Sequence, residues 1–563
     1  MIMAFNTITT TFLCLTVAYI IWTAATLELN ARKAGAIGVP CIRIPIDTNS
    51  VLWQAFEPWI WSALDRLPFT WSSYPDFVRY SRRGWQYTDK YEAYARLGPV
   101  WALVTPVTMY LHVADPNAIG EIFARRELLE VYGPCISTVG DEWARHRKVL
   151  AAPFNESIME FAWEESLRQA KSMLRCWTSA SESGIRSVEK DTRTLSLNVL
   201  ASAAFRKSYE FHGSEEPAIN EATDYRDSLQ IVLDNIILLL VIPYTLLTSP
   251  IFPNSWARVG KAAVSFKEHM RKMLERETEA LNKGDPGSGG IMTGFARALR
   301  DHTKDSKASK RNTDNVQKGL SVEEIFGNMF IINFAGHDTT AVTFAFSMLL
   351  LAANPSVQEW IAEEIRAVTK DMPIEEWDYK VLFPALKRCR AVMFETLRIY
   401  PPIPALPRLT FRETQTIPVG DRTLVIPPGV NTTISLKAVQ SSPCYWPDPE
   451  TWNPSRWISQ KASDSITSIE QGLNEELLPP KPNTYFAWSD GPQKCPGKKF
   501  SEVEAVAVLA CVFHQHRLLI KKKVGESDEA AQERAMACTH EINVLALLKM
   551  TNPDQVSLIC KRA

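Results

Sequence analysis

From Met1 to Leu27 the chain carries no charged side chain, and about 20 consecutive apolar residues suffice for a helix to cross a bilayer. Glu28 ends the run, and Arg32 and Lys33 follow. Because Lys and Arg favour the cytosolic side, this pattern predicts an N-terminal transmembrane helix over residues 1–30, with 31–563 in the cytosol. A cleaved signal peptide would want a basic start before its apolar part, and none is present. Next comes "GVPCIRIPIDTNSVLWQAFEPWIW", whose irregular prolines and aromatics predict a segment against a membrane or on a domain flank, not a regular helix. Residues 92–113 read as a strand pair, and Asp115 to Leu281 as mostly helical.

Three further stretches shape the picture. The apolar run Asn235 to Phe252 is interrupted by Pro243 and Pro250, which fits a lipophilic surface or channel element better than a second span. Residues 282–318 are polar and read as an exposed loop around a short helix. Then "SVEEIFGNMFIINFAGHDTTAVTFAFSMLLLAANP" opens with Ser321 and Glu324 in capping-box spacing and stays apolar until Pro355. Its middle holds Gly336, Asp338, Thr339 and Thr340. Glycine costs about 1 kcal/mol in a helix interior and buried polar groups need partners, so this break predicts either a kink with threonine back-bonding or a groove where a small molecule approaches.

Downstream, Glu395 and Arg398 stand one helical turn apart among apolar residues, predicting a buried ion pair. "RTLVIPPGVNTTISL" reads as strand, turn and strand. In "WSDGPQKCPGKKF", Cys495 lies between Gly491 and Gly497, just before a predicted helix whose dipole and free N–H groups favour a thiolate.

Charge and composition then exclude whole classes. With 62 basic and 63 acidic side chains the net charge is −1, so no basic field draws nucleic acid. Ten cysteines occur with no C-x-x-C pair, which argues against a zinc site or a disulfide framework. Sequons at Asn155 and Asn431 stay unmodified if the body is cytosolic.

Taken in order, Trp143 and Arg147 in "DEWARHRKVL", "AGHDTT", Glu395-x-x-Arg398, "WNPSRW" with Arg456, and "GPQKCPG" resemble the cytochrome P450 family of haem-thiolate monooxygenases. The style is similar to microsomal fungal members of natural-product pathways. The resemblance implies a mainly α fold with small β-sheets, in one catalytic domain over 31–563 behind the anchor. It implies haem b with Cys495 as the axial iron ligand, since a thiolate pushes more electron density to iron than histidine does. Trp143, Arg147 and Arg408 match propionate partners, and Asp338 and Thr339 match the proton-delivery pair. Glu395, Arg398 and Arg456 match a scaffold network. The implied partners are NADPH-cytochrome P450 reductase, a lipophilic small-molecule substrate and the endoplasmic reticulum membrane.

Two departures stand out: Gln493 where most members have arginine, and Trp488 where phenylalanine is usual. Phe334, Ala335, Ile403, Ala405 and Leu406 are candidate pocket residues, and Lys494, Lys498 and Lys499 a candidate basic docking surface for the electron donor. Haem-thiolate isomerases or dehydratases, which use no external electrons, and non-catalytic haem binders are the competing functions. The Asp338–Thr339 pair favours the oxygenase.

Overall fold

Ser321 starts the longest interior helix, Val322–Ala353: its hydroxyl accepts from the Glu324 N–H, and the Glu324 carboxylate accepts from the Ser321 N–H at 2.7 Å. With 32 residues at about 1.5 Å each, the helix passes through the interior and packs chiefly on helix Val188–Phe205. It runs unbroken past Gly336, where a Cβ would stand 2.8 Å from Leu200 Cδ2. That glycine therefore serves close helix–helix approach, and the threonine back-bonding expected of this polar stretch is present. Thr339, Thr340 and Thr343 all donate back to carbonyls four residues earlier.

The computed structural model describes residues 2–563 except 126–128, 131–139, 181–182, 215–224, 236–237, 240–241, 310–318, 371, 411–412, 461–474 and 545–546. Helices dominate, as expected for a mainly α fold. Helix Glu156–Ser179 packs along helix Lys498–Gln515, which places the latter's N-terminus and the Cys495 loop beside the helical core. Asn155, one of the sequons, caps Glu156–Ser179 by accepting from the Ile158 N–H. Asn431, the other, donates to Thr108 Oγ1 at 3.2 Å.

Strands β1 (Cys41–Arg43), β2 (Val100–Val104), β3 (Met109–Val113), β4 (Leu129–Glu130), β5 (Leu406–Thr410) and β8 (Asn431–Ile434) form one sheet, in the order β1-β2-β3-β8-β5-β4. β6 (Gln415–Val419) and β7 (Arg422–Ile426) pair only with each other. The predicted strand, turn and strand over residues 422–436 are present as β7, the turn at Pro428 and Gly429, and β8. Around Pro427 and Pro428 the chain leaves one sheet, and β8 enters the other between β3 and β5.

The first helix, α1 (Ile2–Ile37), contains the one stretch among the described residues that is by itself long and apolar enough to cross a membrane, Leu13–Ile37. Its last turns dock on the sheet: Ala31, Ala34 and Ile37 are buried, and Asn30 Nδ2 donates to the Thr105 carbonyl at 3.0 Å.

Residues 51–64 correct a second expectation, for they form a regular helix, α2 (Val51–Leu64). Ser50 caps it, and Pro58, which cannot donate to the Gln54 carbonyl, leaves an acceptor that the Arg83 guanidinium fills at 2.9 Å. The polar 282–318 segment likewise carries a 19-residue helix, Ile291–Ser309, with 310–318 outside the described residues. The 235–252 run is interrupted at Pro243, which precedes the single turn Tyr244–Leu247, and Leu246 and Ile251 are exposed.

Candidate functional site

The Cys495 loop is held by its own backbone: the Cys495 N–H donates to the Trp488 carbonyl at 2.8 Å, and the Lys494 N–H to Gly491 at 3.2 Å. Gly491 adopts a left-handed φ of 68°, and a Cβ there would stand 2.1 Å from the Phe123 carbonyl oxygen. Only glycine lets the loop sit on helix Pro116–Ala124 at this distance. Trp488 donates from Nε1 to Ser501 Oγ at 3.0 Å and meets Phe394 edge to face, so it is anchored on both sides.

The Cys495 side chain is exposed, yet desolvation by surrounding protein raises its thiol pKa, while the Gly497 N–H and the Arg147 charge oppose the rise. The residue is thus accessible while its thiol is crowded by surrounding protein. Burial outweighs the helix N-terminus here, contrary to the dipole expectation, and a bound metal would have to displace the proton.

Arg408 lies in β5, buried against the Phe123 ring at 5.6 Å, and donates to the Pro407 carbonyl at 3.0 Å. Burial lowers its pKa to about 10, and among the described residues no carboxylate pairs with it. A buried guanidinium of this kind calls for an anion. Trp143 is buried on helix Gly140–Ala151, one turn from Arg147. An accessible cysteine crowded by protein, the Arg147 charge acting on it and the anion-seeking Arg408 together fit haem, with its iron and two carboxylates.

The scaffold behind the loop is fully formed. Arg398 donates to both Glu395 oxygens at 2.9 Å, and Arg456 Nε and Trp457 Nε1 add bonds of 2.9 Å each. Arg398 also holds the Gln440 carbonyl at 2.8 Å. Gln440 carries the connection forward, because its Oε1 accepts from the Phe486 N–H at 3.0 Å and the Phe486 carbonyl accepts from Ser489 at 2.8 Å. A chain of hydrogen bonds therefore runs from Glu395 to the start of the cysteine loop. Sequence reasoning missed Gln440, which follows Ala438 and Val439 and precedes two serines with no signal of its own.

Asp338, on the long helix, lies 2.9 Å from Arg193 Nε and 3.4 Å from His337 Nε2. Arg193 also pairs with Asp234 at 3.1 Å. Asp338, Arg193 and Asp234 line a cavity of about 560 Å³, with Glu189, Phe334 and Lys549 among its other walls. Desolvation raises the pKa of both Asp234 and Glu189. Of the candidate pocket residues, Phe334 borders this cavity; Ala335, Ile403, Ala405 and Leu406 do not. Arg193, Asp234 and Glu189 lay on ordinary amphipathic helices and gave no sequence signal. The structure joins Cys495, Arg147 and Arg408 in one region and Asp338 with Arg193 in another, with Thr339 on the same long helix.

The lysines after Cys495 are less free than predicted. Lys499 pairs with Glu156 at 2.5 Å, and Lys498 lies over the Trp488 ring at 5.4 Å. Much of the supposed basic surface is already engaged.

A profile of the family described as Cytochrome P450 matches residues 117–545. A cytochrome P450 monooxygenase of Arthrobotrys oligospora is 26% identical over 567 residues, covering 95% of each chain. A phomenoic acid biosynthesis cluster cytochrome P450 monooxygenase of Leptosphaeria maculans is 26% identical over 556 residues, covering 89% of this chain and 90% of its own. Among solved structures, a cytochrome P450 crystal structure, CYP102L1, matches with a TM-score of 0.60 at 16% identity, covering 84% of this chain and 97% of that one, a likeness of fold alone.

Proposed function

Because the chain belongs to the cytochrome P450 family, we propose that it is a membrane-anchored monooxygenase inserting one atom of dioxygen into a lipophilic small molecule of secondary metabolism. Electrons come from NADPH through cytochrome P450 reductase, and the body, residues 31–563, acts as one cytosolic domain at the endoplasmic reticulum. The observation that carries this reading is the exposed, desolvated Cys495 beside Arg147, with the buried Arg408 unmatched by any described carboxylate. The biosynthetic-cluster relative supports the metabolic setting.

Haem, when bound, supplies reductive activation of dioxygen on an iron held by the Cys495 thiolate. Trp143, Arg147 and Arg408 would hold its carboxylates. The chain's own task is to move protons. Thr339 Oγ donates to the Ala335 carbonyl at 2.8 Å, which leaves its lone pairs free to accept from a water. Asp338 is paired with Arg193, which has Asp234 as an alternative partner. Asp234 and Glu189, whose pKa values desolvation raises, line the same cavity as Asp338 and are the carboxylates that would relay protons to it.

Asp338→Asn is expected to lower turnover about 10²-fold, in the range of lost general acid catalysis, with a larger solvent isotope effect and unchanged substrate binding. Turnover at the wild-type level would remove Asp338 from proton delivery. The function itself is tested with purified reductase, by measuring whether NADPH and dioxygen consumption accompany product. Product formed without NADPH would favour the isomerase or dehydratase reading.

A further inference from the structure

Lys437 is a buried cation without an ion-pair partner. It lies on the short helix Leu436–Gln440, is 4% exposed, and uses one of its three N–H donors on the Ile399 carbonyl at 2.7 Å. Among the described residues no carboxylate comes within ion-pair distance of it, although a buried charge is costly unless paired. Ser441 stands four residues on, at the cap of the same helix. It is equally buried, and its hydroxyl has no hydrogen-bond partner among the described residues. Both line a cavity of about 50 Å³, several times the roughly 10–15 Å³ that one water needs.

The other charges on the wall are mostly basic. Lys90 and His540 reach the cavity from the ends of two further helices, and the one carboxylate among its lining residues, Glu450, pairs with Lys90 at 2.6 Å. These groups act on one another. Desolvation lowers the Lys437 pKa to about 7, with Arg398 and Lys90 pushing the same way and Glu450 and Glu395 opposing. Desolvation and then Lys90 lower that of His540, Lys437 adds to the fall, and Glu450 opposes it. Three basic groups thus crowd one carboxylate that is already engaged. The cavity shares no lining residue with the larger one around Asp338, and neither Cys495, Arg147 nor Arg408 borders it.

We infer that this cavity is a binding site for a small inorganic anion, a halide or a tetrahedral oxyanion, held by Lys437 and Ser441 with Lys90 and His540 nearer the surface. Lys437 has two N–H donors to offer and Ser441 its O–H, and bonds from an ammonium to an anion are among the strong ones. Lys90 is half-buried and His540 exposed, so an ion has a way in from solvent. The anion also steadies the scaffold, because the Pro449 carbonyl, on the same wall, accepts from Arg398 at 2.7 Å. Lys437 must be protonated to hold an anion, so affinity falls as pH rises through about 7. The pKa of His540 lies below the ordinary histidine value, so its charge is lost earlier in the same rise. The site requires neither haem chemistry nor a membrane.

The test follows the melting temperature of the haem-loaded full chain while chloride, or separately sulfate, replaces gluconate at constant ionic strength, gluconate being too large for the cavity. A ligand that binds only the folded state raises the melting temperature in a way set by its dissociation constant. At pH 6 at least one of the two anions is expected to give a saturable rise, and at pH 8 its apparent Kd should be roughly tenfold weaker, as loss of the Lys437 proton requires. Lys437→Met should weaken binding tenfold or more at pH 6. Lys90→Gln, a change nearer the surface, leaves Glu450 unpaired beside the cavity and should weaken binding several-fold; it decides the matter where Lys437→Met does not fold. If neither anion gives a saturable rise, the cavity holds water only and the proposal fails. A rise with the wild-type Kd in these variants would place the ion elsewhere and equally overturn it.

Discussion

Glu395→Leu is expected to destabilise the fold by about 3–5 kcal/mol, the cost of leaving a buried cation unpaired. Arg398 is 0% exposed and cannot shed its proton, so loss of the carboxylate strands its charge among carbonyls. Arg456 Nε and the buried Trp457 Nε1 lose their acceptor in the same step. Since Gln440 links Arg398 to Phe486, the damage travels to the cysteine loop and should lower the fraction of protein that retains haem. Thermal unfolding and the haem-to-protein ratio measure both effects. Adding Arg398→Met should recover part of the lost stability, because a buried pair replaced by apolar groups costs less than a broken one. A single variant as stable as wild type would mean that the network does not support the loop.

Gly491→Ala should be nearly as harmful locally, and Gly429→Ala is its control. Both glycines have a left-handed φ, 68° and 76°, so each alanine pays about 1–2 kcal/mol for the backbone alone. Around Gly429 a Cβ meets nothing within 4 Å, whereas at Gly491 it meets the Phe123 carbonyl oxygen at 2.1 Å. That oxygen belongs to a helix and cannot swing aside like a side chain, so the loop must move. The 491 variant should therefore lose haem on purification, while the 429 variant shows only a small drop in melting temperature. Equal behaviour of the two would show that the loop does not depend on its contact with helix Pro116–Ala124.

How far these features were legible in the sequence follows from the range of the interactions that make them. Ser321 and Glu324 form the capping box that their spacing predicted, and Glu395 and Arg398 the buried pair, because both are contacts within one turn. The helix after Cys495 starts at Lys498 for the same local reason. Gln440, Arg193 and Asp234 were invisible because each acts across the fold on a group far away in sequence. Residues 51–64 were misjudged because Pro58 reads as a helix breaker, and the guanidinium that relieves it comes from Arg83. Gly336 itself accommodates Leu200, a neighbour distant in sequence, while Phe334 and Asp338 of the same stretch border the cavity. The strand, turn and strand over 422–436 were legible, but their pairing was not, because partners are chosen by the whole sheet: Thr410 of β5 takes the Gly429 N–H, and β8 pairs with β3 and β5.

The most direct test of the central claim is the carbon-monoxide difference spectrum of the reduced protein, recorded for the wild type, Cys495→Ala and Cys444→Ala. Cys444 is also exposed and controls for general loss of a thiol. The wild type and the Cys444 variant should show the spectrum of a thiolate-ligated haem, and the Cys495 variant should not. A Cys495→Ala protein that keeps the thiolate spectrum would contradict the assignment of this residue as the iron ligand.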